Sequence, residues 1–141
     1  MAVGETKTAV VVENLTRTQL VMYAGASGDY NPMHTDEVYA VKVAGYPSVF
    51  GHGMLSMGAT GKLLTDWFGV DGLDRYTVRF VSQVWPGDTL TATVTVTSTY
   101  DDDGRSLAEV AVETVNQDGV QILIGTAIAQ VEFQPATNDE D

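Results

Sequence analysis

Three side chains capable of chemistry lie close together on a bend of the sequence "SGDYNPMH", residues 27–34. They are Asp29, Asn31 and His34, and the chain of 141 residues contains just one other histidine. A carboxylate and an imidazole at this spacing form a usable acid–base pair. The same residues are also ordinary turn chemistry, since Asp and Asn bond their own backbone and Asn-Pro favours a turn. The residues alone therefore indicate either a proton-transfer site or a structural bend.

The second histidine, His52, lies at the start of the longest predicted helix and, like the first, beside a glycine-containing bend. Free backbone N–H groups at the beginning of a helix can stabilise a developing oxyanion. A base, an acid and an oxyanion site are together what the addition of water to an activated double bond requires.

A metal site built from Asp29, His34 and His52 is a less favoured interpretation of the same residues. The spacing lacks the i, i+4 histidine pair of a helical metal motif, and the chain has no cysteine. We therefore expect no metal and no other cofactor. There is also no GxSxG elbow, P-loop or GxGxxG after a strand, which excludes serine hydrolases, NTPases and dinucleotide-binding enzymes.

Composition narrows the class of partner. Seven Lys and Arg residues against nineteen Asp and Glu residues give a formal net charge of −12, which argues against nucleic acid or an anionic membrane as partner. No apolar run approaches the roughly 18 residues of a membrane span, and no secretory signal is visible. We expect a soluble cytoplasmic protein with one domain over residues 1–133 and an acidic tail at residues 134–141.

The hydrophobic pattern predicts an α+β fold. Thr16 is a candidate cap for a first helix, and residues 52–69 form a long, mostly apolar helix of the kind that is normally buried. The second half alternates with a period of two, most regularly in "DTLTATVTVTST", residues 88–99, which predicts a strand with one buried face. We interpret this half as a four-strand antiparallel meander curled around the long helix.

The stretch "YAGASGDYNPMHTDEVYA", residues 23–40, resembles the hydratase motif of the MaoC-like (R)-specific enoyl-thioester hydratase/dehydratase family. That motif places Ser/Thr-Gly-Asp-x-Asn-Pro-aliphatic-His between an aromatic and a small residue. Two further similarities are "HGM" at residues 52–54 and the later "YTVRFVSQVWPGDTLTATVTV". The resemblance covers roughly residues 15–132. Within the family, the sequence looks most like the catalytic subunit of actinobacterial (3R)-hydroxyacyl-ACP dehydratases.

The resemblance implies a single hot-dog fold and the interconversion of trans-2-enoyl thioesters and (3R)-3-hydroxyacyl thioesters. Asp29 would take a proton from the attacking water, while His34 would orient that water and share the proton transfer to the α-carbon. The backbone N–H of Gly53 would bind the thioester carbonyl as the enolate forms. Asn31 would hold the bend beside this pair, and His52 would shape the path of the chain into the helix.

The implied substrate is an acyl-CoA or acyl-carrier-protein thioester. Met54 is a candidate for lining an apolar acyl slot, although a methionine on a buried helix is more often ordinary core. Lys62 and Arg79 are candidate contacts for substrate phosphates. The resemblance also implies at least a dimer, formed by identical chains or with a related hot-dog subunit, which would cover a free sheet edge.

Two other functions stay open on the sequence alone. A thioesterase on the same fold is disfavoured, because the Asp-x4-His motif belongs with water addition to an alkene. An acyl-thioester-binding or structural subunit would support a catalytic partner, but it has no need of the intact pair Asp29 and His34.

Overall fold

The computed structural model describes residues 1–131. Within these residues two α-helices and five strands follow one another as β1 (Thr6–Val12), α1 (Arg17–Ser27), α2 (Gly53–Phe68), β2 (Leu73–Phe80), β3 (Leu90–Asp102), β4 (Arg105–Val115) and β5 (Gln121–Gln130). The predicted boundary between domain and acidic tail lies outside the described residues. No helix in the described part of the chain has the length and apolar character needed to cross a membrane.

The five strands form one antiparallel sheet in the order β1-β3-β4-β5-β2. Strands β3, β4 and β5 are consecutive neighbours, as a meander requires. The predicted four-strand meander is wrong at its first strand, because β2 pairs with β5 and not with β3. The reason is the connection at residues 81–89, which carries the chain from one side of the sheet to a position beside β1.

One face of the sheet packs on α2. The alternation predicted for β3 is confirmed, because the side chains that face the helix are all buried: Leu90, Ala92, Val94 and Val96. On α2 the buried residues are Ser56, Thr60 and Leu64, which follow one another at a spacing of four. The sheet therefore covers one side of α2, and the opposite side of the helix borders an open groove.

Polar contacts fix the register of α2 on the sheet. The hydroxyls of Thr60 and Thr114 lie 2.7 Å apart, and both residues are fully buried. From β2, the Tyr76 hydroxyl donates to the Met57 carbonyl at 2.9 Å. Burial raises the pKa of Tyr76 to about 12, so the hydroxyl keeps its proton and remains a donor. Both contacts are made by the second turn of α2, and they fix the position of the helix on the sheet.

At Gly125 the backbone of β5 closely approaches that of β2, and we expect Gly125→Ala to destabilise the fold. A Cβ atom at this position would lie 2.0 Å from the Thr77 carbonyl oxygen, so the strands must separate. The free energy of unfolding should fall by about 1–3 kcal/mol, measured by urea denaturation. Gly25→Ala on α1 is the control, since its Cβ would meet nothing within 4 Å in the described structure. Equal stability of the two variants would contradict the close approach.

Candidate active site

The predicted acid–base residues are positioned by the bend that follows α1. Gly28 ends α1 with a φ of 76°, a left-handed conformation that glycine adopts without steric cost. Asn31 then caps a 3₁₀ helix of one turn, Pro32–His34, because its Oδ1 accepts from the Met33 N–H at 3.1 Å. This turn directs the histidine into the protein, while the Asp29 side chain stays half exposed.

His34 is buried, and one strong hydrogen bond fixes its ring. Its Nδ1 lies 2.7 Å from the carbonyl oxygen of Phe50. A carbonyl oxygen accepts hydrogen bonds and never donates them, so Nδ1 carries the proton. In the neutral ring Nε2 therefore keeps a free lone pair, and Nε2 is the nitrogen near Asp29. The neutral form of His34 thus presents a hydrogen-bond acceptor toward the carboxylate.

Asp29 and His34 face each other across a gap. Asp29 Oδ2 lies 3.9 Å from His34 Nε2, while Asp29 Oδ1 accepts from the Asn31 N–H at 3.2 Å. A separation of 3.9 Å is too long for a direct hydrogen bond, but one water can bridge two acceptors at this distance. Such a water would donate one hydrogen to each group and keep an oxygen lone pair for attack.

His52 lies against both residues, a contact that the sequence interpretation missed. Its ring stacks on that of His34, with centroids 3.8 Å apart and planes inclined by 23°. Its Nε2–H donates to the backbone carbonyl of Asp29 at 3.0 Å. Its Nδ1 is buried and has no hydrogen-bond partner within residues 1–131. Burial lowers the pKa of His52 below its ordinary value of 6.5, which favours the neutral ring.

Asp29, His34 and His52 also offer ligand atoms that lie within 4.8 Å of one another. Each histidine already commits one ring nitrogen to a carbonyl oxygen. The two nitrogens that remain, His34 Nε2 and His52 Nδ1, belong to rings that stack on each other, an arrangement unlike the tetrahedral spread of ligands around zinc. Hydrogen bonding and stacking account for this cluster, and we assign it no metal chemistry.

The first turn of α2 borders a cavity of about 270 Å³. The N–H groups of Gly53 and Met54 have no acceptor among the described residues, as is usual at the beginning of a helix. The first N–H with an acceptor is that of Leu55, which donates to the His52 carbonyl. The Phe80 ring closes one side, 3.1 Å from where a Cβ of Gly53 would lie. The cavity is lined by Phe50, Gly51, Gly53, Ser56, Phe80, Val81, Ser82, Gln83, Val84 and Ile122.

The other predicted binding residues lie away from this cavity. Met54 and Lys62 line a separate groove of about 590 Å³ on the open side of α2, where Met54 is 57% exposed. Lys62 Nζ bonds Asp66 at 2.6 Å. Arg79 precedes Phe80 in β2, so its side chain points to the opposite face of the sheet. The structure therefore does not bring Lys62 and Arg79 into one patch.

Comparison with known proteins identifies relatives of this chain. Residues 2–119 match the sequence model of the MaoC-like domain family. A 3-hydroxyacyl-thioester dehydratase of Mycobacterium tuberculosis, dehydratase Y, is 28% identical over 121 residues, which cover 84% of this chain and 40% of the relative. An (R)-specific enoyl-CoA hydratase of Rhodospirillum rubrum is 33% identical over 97 residues, which cover 67% of each chain. The chain thus spans less than half the length of the first of these relatives.

The fold agrees with a solved structure. A chain of the ChsH1-ChsH2 complex from Mycobacterium tuberculosis superposes with a TM-score of 0.79 at 23% identity, covering 94% of this chain and 99% of that one. At this identity the similarity establishes the fold and nothing more. The expected hot-dog fold, a curled antiparallel sheet around a central helix, is confirmed.

Proposed function

Because this chain belongs to the MaoC-like domain family, we propose that it is a hydro-lyase that interconverts trans-2-enoyl thioesters and (3R)-3-hydroxyacyl thioesters. At the coarser level of hydratase or dehydratase chemistry on acyl thioesters, the named relatives support this activity. The arrangement that carries the finer proposal is the 3.9 Å gap between Asp29 Oδ2 and His34 Nε2, next to His52, the residue that precedes α2. One water can bridge two hydrogen-bond acceptors at this separation.

In the hydration direction the bridging water attacks the β-carbon of the enoyl thioester. Asp29 takes one proton from the water as the new C–O bond forms, and His34 Nε2 holds the other hydrogen and orients the lone pair. The π electrons of the alkene move onto the thioester carbonyl as an enolate. The abstracted proton then passes from the pair to the α-carbon, so the sum is the addition of one water molecule without any co-reactant.

The enolate oxygen needs a donor, and we assign this role to the backbone N–H of Gly53. This N–H has no acceptor within the described chain and lies at the positive end of the α2 dipole. A preorganised backbone donor stabilises charge that develops in the transition state more than charge in the ground state. The absence of a side chain at Gly53 leaves room for the thioester beside the Phe80 ring.

Crotonyl-CoA provides the direct test of this function. The purified protein should remove the ultraviolet absorbance of the conjugated enoyl thioester while releasing no free thiol, followed in parallel with a thiol reagent. Thiol release would instead identify a thioesterase. Binding of the substrate without either signal would identify an acyl-thioester-binding subunit.

We propose that the working unit is a dimer formed across β2. Both outer strands of the sheet, β1 and β2, are unpaired on one side within the described residues. The β2 edge adjoins the open groove of α2 with its exposed Met54, and it ends at the half-exposed Phe80. A free edge beside apolar surface favours pairing with another chain.

The partner is either a second copy or a related hot-dog subunit, and light scattering on the purified protein distinguishes the two. A dimer of this chain alone identifies a homodimer. A protein that stays monomeric until a related subunit is added identifies a heterodimer. A monomer that is fully active alone contradicts the dimer.

Lys62 is our candidate for a contact with the substrate phosphates, and Lys62→Ala is expected to raise KM with kcat unchanged. Because an exposed ionic contact contributes about 0.2–1 kcal/mol, the increase should reach at most about fivefold and shrink as salt is added. Asp66→Asn releases Lys62 from its present bond and should lower KM. Arg79→Ala removes the same charge on the other face of the sheet and serves as the control. A fall in kcat at constant KM would refute the assignment.

A further inference from the structure

We propose that His52 is a positioning residue that holds Asp29 and His34 at their reactive separation, an inference that rests on the hydratase function proposed above. His52 makes two contacts, one with each member of the pair. Its Nε2–H donates to the Asp29 carbonyl at 3.0 Å, and its ring stacks on His34 at 3.8 Å. A single side chain therefore connects the exposed carboxylate residue and the buried imidazole.

The hydrogen bond from His52 connects Asp29 to a part of the chain that is distant in sequence. Within residues 1–131 the other hydrogen bonds of Asp29 remain inside its own bend: its N–H donates to Ser27 Oγ at 3.2 Å, and its Oδ1 accepts from the Asn31 N–H at 3.2 Å. The bond from His52 instead crosses 23 positions of sequence and ties the bend to the first turn of α2. It thereby sets the place of the carboxylate relative to the proposed oxyanion donor.

A purely structural role explains these contacts poorly. His52 occupies the N-cap position of α2, yet its side chain makes no capping hydrogen bond, which Asn, Ser or Asp would make. Its Nδ1 is buried without a partner in the described structure, which costs stability. The ring is also enclosed by Tyr23, whose edge lies against it with centroids 4.8 Å apart. Tyr23 and His34 hold the ring in a position from which Nε2 reaches the Asp29 carbonyl. In this position His52 does not cap α2, as Asn, Ser or Asp would.

Two amide variants separate positioning from capping. Gln carries its amide nitrogen as many bonds from Cα as the Nε2 of His52, whereas Asn carries it at the position of Nδ1. We expect His52→Gln to retain kcat within about tenfold of wild type, while His52→Asn and His52→Ala lose about 100-fold, the effect of a misplacement of roughly 1 Å. KM should change little in all three, because the substrate contacts remain.

A capping role predicts the opposite order. Asn is a far better N-cap than Gln, so His52→Asn would then raise the melting temperature and keep the activity. Either that order or full activity of His52→Ala overturns the inference while leaving the hydratase function standing, provided that wild type hydrates crotonyl-CoA and Asp29→Asn does not. Failure of wild type to hydrate the substrate overturns both.

One measurement needs no variant and applies even if His52→Gln does not fold. Nitrogen NMR of the wild-type imidazoles near neutral pH should show His52 protonated at Nε2 alone and His34 protonated at Nδ1. The groups that face His52 are His34, Asp29 and Tyr23, and a neutral ring with Nε2–H satisfies the Asp29 carbonyl. A His52 protonated at Nδ1 alone has no donor for that carbonyl and would overturn the inference.

Discussion

Replacing Asp29 by Asn is expected to lower kcat by about 10²–10⁴-fold, the usual contribution of positioned general acid–base catalysis. The amide keeps the size of the carboxylate and can still accept the Asn31 N–H, but it cannot take a proton from water. Because the side chain is 53% exposed, the melting temperature should change little. Retained activity with a loss of about 1 kcal/mol or more in stability would show that Asp29 is only a turn anchor.

The variant of the histidine that matches Asp29→Asn is His34→Asn. Its amide can still donate to the Phe50 carbonyl from the position of Nδ1, but it has no counterpart of Nε2. We expect a loss in kcat comparable to that of Asp29→Asn. The double variant should lose much less than the product of the two single losses, because residues that act as a unit are not additive. Strictly multiplicative losses would contradict a shared water.

Gly53→Val is expected to lower kcat/KM by about 10²–10³-fold, the cost of losing one oxyanion donor. A side chain at this position would lie 3.1 Å from the Phe80 ring and crowd the space in front of the backbone N–H. Kinetics with crotonyl-CoA and a melting curve measure both effects. Gly25→Val on α1, where a Cβ meets nothing within 4 Å in the described structure, controls for a β-branched residue in a helix.

The Phe80 ring offers a second route by which Gly53→Val could act, and a double variant separates the two routes. If valine acts only by pushing the ring into the cavity, adding Phe80→Leu should restore activity. If valine blocks the backbone donor, activity stays low in the double variant. Near-normal kcat/KM for Gly53→Val itself would refute the role of this N–H.

Features that depend on local chemistry were predictable from the sequence. The alternation in β3 indicated its buried face because the side-chain period of a strand is two. The predicted cap Thr16 is confirmed, with its side chain accepting from the Gln19 N–H at 3.0 Å. The long helix predicted at residues 52–69 lies at Gly53–Phe68. Turn chemistry around Asn31 likewise indicated the bend that carries the acid–base residues.

Features that depend on long-range contacts were not predictable. The pairing of β2 with β5 is decided by the path of residues 81–89 across the sheet, which no local pattern encodes. The stacking of His52 on His34 arises because two glycine-containing bends meet in space. The side of the sheet on which Arg79 lies follows from the register of β2, which the sequence alone left open.

Hydration of crotonyl-CoA in deuterium oxide tests the central claim most directly, because it follows the atoms that Asp29 and His34 are proposed to move. Analysis of the product by mass spectrometry and chiral separation should show (3R)-3-hydroxybutyryl-CoA with one carbon-bound deuterium, located at the α-carbon, and no free CoA. Asp29→Asn should form this product at a rate lower by about 10²–10⁴-fold. Release of free CoA from unchanged crotonate, or equal product formation by wild type and Asp29→Asn, would contradict the account.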